Sequence, residues 1–336
     1  DAAQVRDKCG MYFQNLYGKP DQVPNIEKPW LQSPSTMTIC DLKLLLKKGN
    51  VAPSPGPDHW EKWTITLLDD DLLTPILLLI NYIITTNDYT FLSEHYIFMV
   101  FKLRGCAADL TKYRGVVFAS FICTMVATWF EVLCAHEYCN KLHIIPSSQI
   151  ATQKGVQPRD LLSVLSQIQS QAVNRRYQIF CLLRDQEKGF DLLHQQAGID
   201  AWQAYGFPNS VLDFDQARLK NMTFITKTPY GLAKPFTTSD LMKQGDPTNP
   251  LRFCLAMSLS TYWILDMQLD GQLRLMTLRN RLCVSHSSAD TLTQTFVQAS
   301  ATDDTVTVAQ SLQCLSTTVC HIKKFQSAYN ARTKWQ

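Results

Sequence analysis

The stretch FVQASATDDTVTV, residues 296–308, decides the fold. The residues on either side of its centre read as β-strand, yet Asp303 and Asp304 stand side by side between them. Strands disfavour Asp, and successive strand residues point to opposite faces. One reading makes Thr302-Asp303-Asp304-Thr305 a solvated hairpin tip. The other makes it a metal-holding tip, which needs a third carboxylate from elsewhere in the chain. Asp185 is the candidate. It follows YQIFCLL, residues 177–183, a nearly unbroken apolar run of strand length that suits a covered sheet. Asp at a strand-to-helix junction is also a good N-cap, so Asp185 taken alone has a structural use. If the two strands are neighbours, three carboxylates converge on one sheet edge. Two like charges about 4 Å apart repel by roughly 4 kcal/mol at an effective dielectric of 20. Divalent ions about 3.5–4 Å apart reverse that cost and clamp the attacking and leaving oxygens of a phosphoryl transfer. An oxygen-only ligand set favours Mg²⁺ or Mn²⁺ over zinc.

Working outward, DLLSVLSQIQSQAVNRR (160–176) reads as an amphipathic helix with a basic end. A helix is expected to run through Ala204 and stop at Gly206 and Pro208, with Ser210 capping a second. MTFITKTPYG reads as a strand leading to a turn, and the loop from Lys243 runs into a long buried helix. Gln268 to Asp290 reads as polar and irregular. A last amphipathic helix carries Leu312, Leu315, Val319, Ile322 and Phe325 on one side. Nearer the start, Asp41 is expected to cap a short helix ending at Gly49. APSPGPDHW (52–60) is a rigid turn-forming loop, helical patterning covers Trp60 to Thr86, and Tyr96 to Leu103 reads as a strand. Pro20, Pro24, Pro29 and Pro34 break any long element before that. The order of elements describes an α+β sheet domain covered on one face.

The chain has 336 residues, 46% hydrophobic and 18% charged, with a net charge of +3. Such a chain buries a core, and its small net charge leaves any nucleic-acid site to local clustering. Eleven cysteines are scattered without a CxxC pair. Cys134, His136 and Cys139 match no zinc spacing, so reduced thiols in an intracellular protein are expected. Gly115 to Phe130 is an uncharged run of 16 residues, short of the ~20 a membrane span needs, and reads as a buried helix or a strand–helix pair. The chain opens at Asp1 without an apolar targeting run, which reads as a piece of something longer and not as a secreted protein.

Six motifs occur in an order that resembles the reverse transcriptase domain of non-LTR (LINE-like) retrotransposons, from about Leu42 to Lys334. SPGPDHW is similar to the family's Pro-Gly-Pro-Asp-Gly loop, and FKLRG with DLTKYRG to its Lys followed by Tyr-Arg-Pro. ATQKGVQPRDLL is similar to its Gln-x-Gly-Phe segment and RDQEKGFD to its first catalytic motif. KQGDPTNPLRF is similar to Gln-Gly-Asp-Pro-x-x-Pro, and ATDDT to the Phe/Tyr-x-Asp-Asp hairpin. The resemblance implies right-hand polymerase architecture with an antiparallel palm sheet bearing helices on one face. Residues 1–50 would be an N-terminal extension, 51–176 fingers-like and 177–336 palm-like, with the thumb absent or truncated. It implies an RNA-directed DNA polymerase acting on an RNA template, a DNA primer and deoxynucleoside triphosphates, in cytoplasm or nucleus and away from membranes.

Carried over residue by residue, the resemblance makes Asp185, Asp303 and Asp304 the catalytic ligands of Mg²⁺ or Mn²⁺. Lys102 and Arg114 would hold the triphosphate, Phe190 would be the steric gate under the sugar, and Gln244 and Gly245 would line the incoming nucleotide. Arg175, Arg176, Lys323 and Lys324 would contact nucleic-acid phosphates or serve only as surface charge. Several positions depart from the family's pattern. Ala301 stands where an aromatic is expected before Asp-Asp, His59 replaces Gly, Gly115 replaces Pro, Val156 replaces the Phe after Lys154-Gly155, and Gly189 replaces Ala. The interval from Asp185 to Asp303 is also long, at 303 − 185 = 118 residues. These departures keep a second reading open: an inactive, degenerate fragment that at most binds nucleic acid.

Overall fold

The computed structural model of the chain describes residues 36–334, apart from 143, 146–148, 153, 154, 188, 229, 239–241, 279–290 and 303. Asp303, Lys154 and the four early prolines therefore lie outside the described residues. The chain divides into two compact units. The first takes in Ile145–Leu192 and Phe253–Gln336, the second Leu193–Arg252 and the described residues up to Ile144.

In chain order, helices α1 (Ile39–Leu46), α2 (Lys62–Thr66) and α3 (Asp70–Thr86) precede strands β1 (Glu94–Phe101) and β2 (Tyr113–Phe118). Next come α4 (Phe121–Trp129), a π-helical turn (Phe130–Ala135) and α5 (His136–Leu142). They are followed by α6 (Pro158–Arg175), β3 (Phe180–Gln186) and α7 (Gly189–Leu192). Helices α8 (Gln195–Ala204) and α9 (Asn209–Leu219) lead to β4 (Thr223–Thr228), β5 (Gly231–Leu232) and β6 (Phe236–Thr237). The rest is α10 (Asn249–Asp266), β7 (Leu273–Leu278), β8 (Thr291–Phe296), β9 (Gln298–Ala301), β10 (Asp304–Ala309), α11 (Leu312–Ala328) and β11 (Thr333–Lys334). The architecture is mixed α+β. No helix among the described residues is long and apolar enough to cross a membrane.

The second unit holds a mixed sheet of order β2-β1-β4-β5, with β6 also on β4. β1 runs antiparallel to β2 and parallel to β4. Its inner face buries Val117 and Phe224 against Leu219 and Met222. The uncharged run from Gly115 is thus a strand–helix pair: β2, then α4 capped by Ser120, whose hydroxyl accepts from the Cys123 amide at 3.2 Å. The SPGPD loop closes over this junction. A Cβ on Gly56 would stand 1.9 Å from the Ala119 carbonyl oxygen, so no other residue fits there. Asp58 accepts from the Phe121 amide at 2.6 Å, satisfying a second free N–H of α4.

The first unit holds an antiparallel sheet of order β11-β3-β10-β9 and a separate hairpin, β7-β8. One sheet face is polar and buried: Arg184, Gln186, Gln298, Thr305 and Thr307. Gln298 donates to Thr261 and Gln186 to the Met257 sulfur, both on α10. The other face carries Val306 and Val308, which join Ile168 of α6 and Leu273 in one apolar cluster. A helix therefore reaches the second face as well, where helices on one face were expected, but only at β10: Leu183, on the same face of β3, is 77% exposed. Apolar residues at alternate positions of β10 require that second cover.

Four local expectations need correction. Thr38, and not Asp41, is the N-cap of α1; Asp41 supplies the reciprocal half of a capping box. Pro208 sits at the N-cap of α9 in place of Ser210, with no side-chain bond. The segment 268–290, expected to be irregular, contains β7, because LRLMTL is strand-forming once it pairs with β8. α11 buries Cys314, Thr318, Ile322, Phe325 and Gln326, while Leu312 is 63% exposed. Ile322 and Phe325 thus lie on the face the sequence predicts, with Leu315 and Val319 half-buried beside it, and Leu312 alone of the five is exposed.

Candidate active site and nucleotide-binding loop

The opening stretch folds as a tight hairpin. Ala301 pairs with Asp304, which leaves Thr302 and Asp303 as a two-residue connection between β9 and β10. Such loops call for positive φ, a conformation usually left to Gly, Asn or Asp. Thr302 adopts it at φ +60°, an outlier for a β-branched residue. Its amide donates to the Gln149 side-chain oxygen at 3.3 Å, and Gln149 itself bridges to Ser300 as a short parallel pairing. Next to that bridge, the Ile150 amide donates to the Ser300 carbonyl at 2.9 Å. The tip is thus braced from outside the hairpin.

β3 lies directly beside β10. The register pairs Arg184 with Thr305 and Leu183 with Val306, and one further step along it sets Asp185 opposite Asp304. β11 flanks β3 on the other side, with Lys334 opposite Asp185. Asp185 and Asp304 are both exposed at this sheet end, on the face that also carries Ala301. Two of the three sequence-derived aspartates are therefore described: β3 and β10 are neighbours and bring Asp185 and Asp304 into cross-strand register, while Asp303 lies outside the described residues. Among the described residues no group of three His, Cys, Asp or Glu side chains forms a metal cluster. Two exposed carboxylates in register fit a hard divalent cation with oxygen ligands.

Beneath the pair, Arg184 is 4% exposed and bonded to Gln298 at 3.0 Å, with its Nε and Nη1 unpaired. Burial lowers its pKa to about 10. Phe190, five residues past Asp185, is half-buried on α7 with its ring 4.7 Å from that of Phe253. Cys134 and Cys139 are buried, burial pushes the Cys134 thiol up to about 12, and His136 pairs with Glu131 at 3.0 Å.

The remaining candidates lie in the second unit. Val100 pairs with Arg114, and the ladder continues as the Lys102 amide donates to the Lys112 carbonyl at 2.9 Å. Two-residue alternation then places Lys102, Lys112 and Arg114 on one face of the β1–β2 hairpin. Arg114 is exposed and Lys102 half-buried. Lys227 shares that face, with its ammonium 5.2 Å from the Phe98 ring and 5.8 Å from the Tyr96 ring.

Gln244 and Gly245 pack on the same hairpin. The Val117 amide donates to the Gln244 carbonyl at 2.6 Å, and Gly245 sits at φ +111°. A Cβ there would lie 2.4 Å from the Val117 carbonyl oxygen. This glycine thus permits close approach to the protein's own strand. Beside it is a water-sized cavity of ≈10 Å³ bordered by Val117, Cys123, Lys243 and Asp246.

Sequence reasoning missed what anchors this loop. Asp246 receives salt bridges from Arg218 and, at 3.3 Å, from Lys243, and accepts from the Thr248 hydroxyl at 2.7 Å. Arg218 also binds Asp215 at 2.9 Å, and Asp215 meets Arg252 at 3.1 Å and the Trp202 indole at 2.9 Å. Arg252 lies over Gly198, where a Cβ would come within 2.8 Å of its Nε. Lys243 additionally lies 3.2 Å from His95 Nε2 on β1. Burial opposes the charge on Asp246, but Arg218 and then Lys243 outweigh it and hold the carboxyl below the usual range. Burial, then Lys243, pushes His95 down to about 3, so its ring is neutral and accepts from the ammonium. The one signal in the sequence was charge inside apolar runs, as in VLDFDQARL and PLRFCLAM.

No family model matches the chain, and no curated protein matches it. Among solved structures, the chain is similar to apo telomerase from Candida tropicalis truncated from its C-terminal domain, at 10% identity and a TM-score of 0.49. The likeness covers 72% of this chain and 50% of that one, so the chain spans half the length of the telomerase structure.

Proposed function

We propose that the chain is the fingers and palm of an RNA-directed DNA polymerase of the non-LTR retrotransposon type. The observation that carries this reading is the register of β3 and β10, which sets Asp185 across from the Asp-Asp hairpin in a chain whose six motifs run in the family's order. The acidic sheet end would hold two Mg²⁺ or Mn²⁺ ions through Asp185, Asp303 and Asp304. Such ions supply charge neutralisation at the attacking and leaving oxygens. The reaction is attack of a primer 3′-OH on the α-phosphate of a deoxynucleotide, with pyrophosphate leaving. Lys102 and Arg114 offer a point charge and a forked donor to the triphosphate. Phe190 acts as the steric gate that rejects a 2′-OH, and Gln244 and Gly245 line the incoming nucleotide. An RNA template and a DNA primer are the partners, in cytoplasm or nucleus.

The test is primer extension on an RNA template with Mg²⁺ or Mn²⁺. Wild type is expected to extend the primer, and Asp185→Asn or Asp303→Asn to abolish extension while circular dichroism stays unchanged. Equal extension by variant and wild type overturns the metal assignment. A folded wild type without extension favours the second reading, an inactive remnant, toward which Ala301 points by putting a methyl group beside Asp304 where the family carries an aromatic.

A further inference from the structure

The Asp246 side chain is only 5% exposed, and three partners from different parts of the second unit close on it. Arg218 comes from α9, Lys243 from the loop itself, and Thr248 from the approach to α10. The Thr248 amide adds a fourth contact at 3.0 Å, and the Asn249 side chain holds the Lys243 carbonyl at 2.8 Å. Between these anchors only Gln244 and Gly245 are left, and they rest backbone to backbone on β2 through Val117. Lys243 ties the same loop to β1 through His95. The loop is thereby fixed to both strands of the hairpin that carries Lys102 and Arg114.

A buried ion cluster is weak evidence for stability, since burying charges costs about as much as their attraction returns. What it does well is hold one geometry. We infer that Asp246 is a positioning residue that clamps Gln244–Gly245 onto β2 and so sets the affinity for a nucleoside triphosphate. This rests on the reading above, in which that loop lines the incoming nucleotide. Asp246 itself faces Arg218, Lys243 and Thr248 and touches no reacting atom.

The experiment uses the full chain and two variants that disturb the clamp from opposite ends. Asp246→Asn removes the charge that draws in Arg218 and Lys243. Gly245→Ala leaves the ion cluster intact and pushes the loop off Val117. The first readout is hydrogen exchange at the Val117 amide, which is expected to lose protection in both while α9 keeps its own. The second is the kinetic split for dTTP in primer extension: KM is expected to rise roughly tenfold or more, with kcat little changed. Wild-type protection at Val117 in either folded variant overturns the clamp. Lost protection with an unchanged KM overturns its link to the nucleotide. If wild type extends no primer, the polymerase reading fails by itself, and binding of Mg²⁺·dTTP by equilibrium dialysis then decides. Binding by wild type that both variants weaken supports the inference, and no binding by wild type overturns it.

Discussion

At the scale of single residues, Thr302 concentrates the oddity of the hairpin. A β-branched side chain at φ +60° costs of order 1–3 kcal/mol unless its surroundings compensate. The contact seen here, from its amide to Gln149, uses only backbone and would survive removal of the side chain. Thr302→Gly is therefore expected to stabilise the protein by about 1 kcal/mol, read as a higher urea midpoint with an unchanged slope. A lower midpoint would mean that the threonine side chain has a structural use of its own. A more stable variant that extends primers more slowly would mark the strain as part of how the turn presents Asp303.

At the scale of elements, the SPGPD loop is a cap delivered from a distance. Gly56 fits only as glycine against Ala119, and Asp58 covers the start of α4 beside Ser120. Gly56→Ala is expected to destabilise by about 2 kcal/mol or more, since the clash is with backbone that cannot rotate away. Asp58→Ala removes one cap and should cost about 1 kcal/mol. Thermal scans of the two variants check both, and equal small shifts would mean the loop does not dock on α4. The sequence showed this motif but not its use, because its partner lies 63 residues along the chain. The same limit ran through the sheets. YQIFCLL and the Val-rich half of the opening stretch announced β3 and β10, because an apolar run and an apolar alternation are both local signals. The parallel pairing of β1 with β4 depends on a partner far along the chain, and the strand status of Leu273–Leu278 on pairing with the next strand, β8. The Asp185–Asp304 register was legible as a possibility. The brace at Gln149 and the clamp around Asp246 were not, because a glutamine or aspartate in a loop reads as solvated until its neighbours are in place.

At the scale of the whole molecule, buried charge makes stability a function of pH, and the sign follows from which state binds more protons. His95 keeps its ring neutral in the fold down to about pH 3, whereas in the unfolded chain it protonates below about 6.5. Between those values the unfolded state holds the extra proton, so stability falls as pH drops through that window, at up to ~1.4 kcal/mol per unit. The groups facing His95 reinforce this: Lys243 and Arg218 are cations, and Asp246 offsets them only in part. The depressed carboxyls of Asp215 and Asp246 act lower, their stabilisation being lost only as pH falls below the ordinary Asp range. From pH 6.5 to 5 His321, lowered by burial and then by Lys324, acts in the same direction as His95, while the Asp58 carboxyl, raised by burial, acts in the opposite one. Urea titrations at the two ends of that window should show wild type losing about 1.5 kcal/mol through His95. His95→Gln, which keeps an acceptor for Lys243 but cannot be protonated, should lose less than wild type, by the share due to His95. Equal losses in the two proteins would place the titrating group elsewhere, and would mean that in solution Lys243 and His95 do not share the buried contact on which the loop depends.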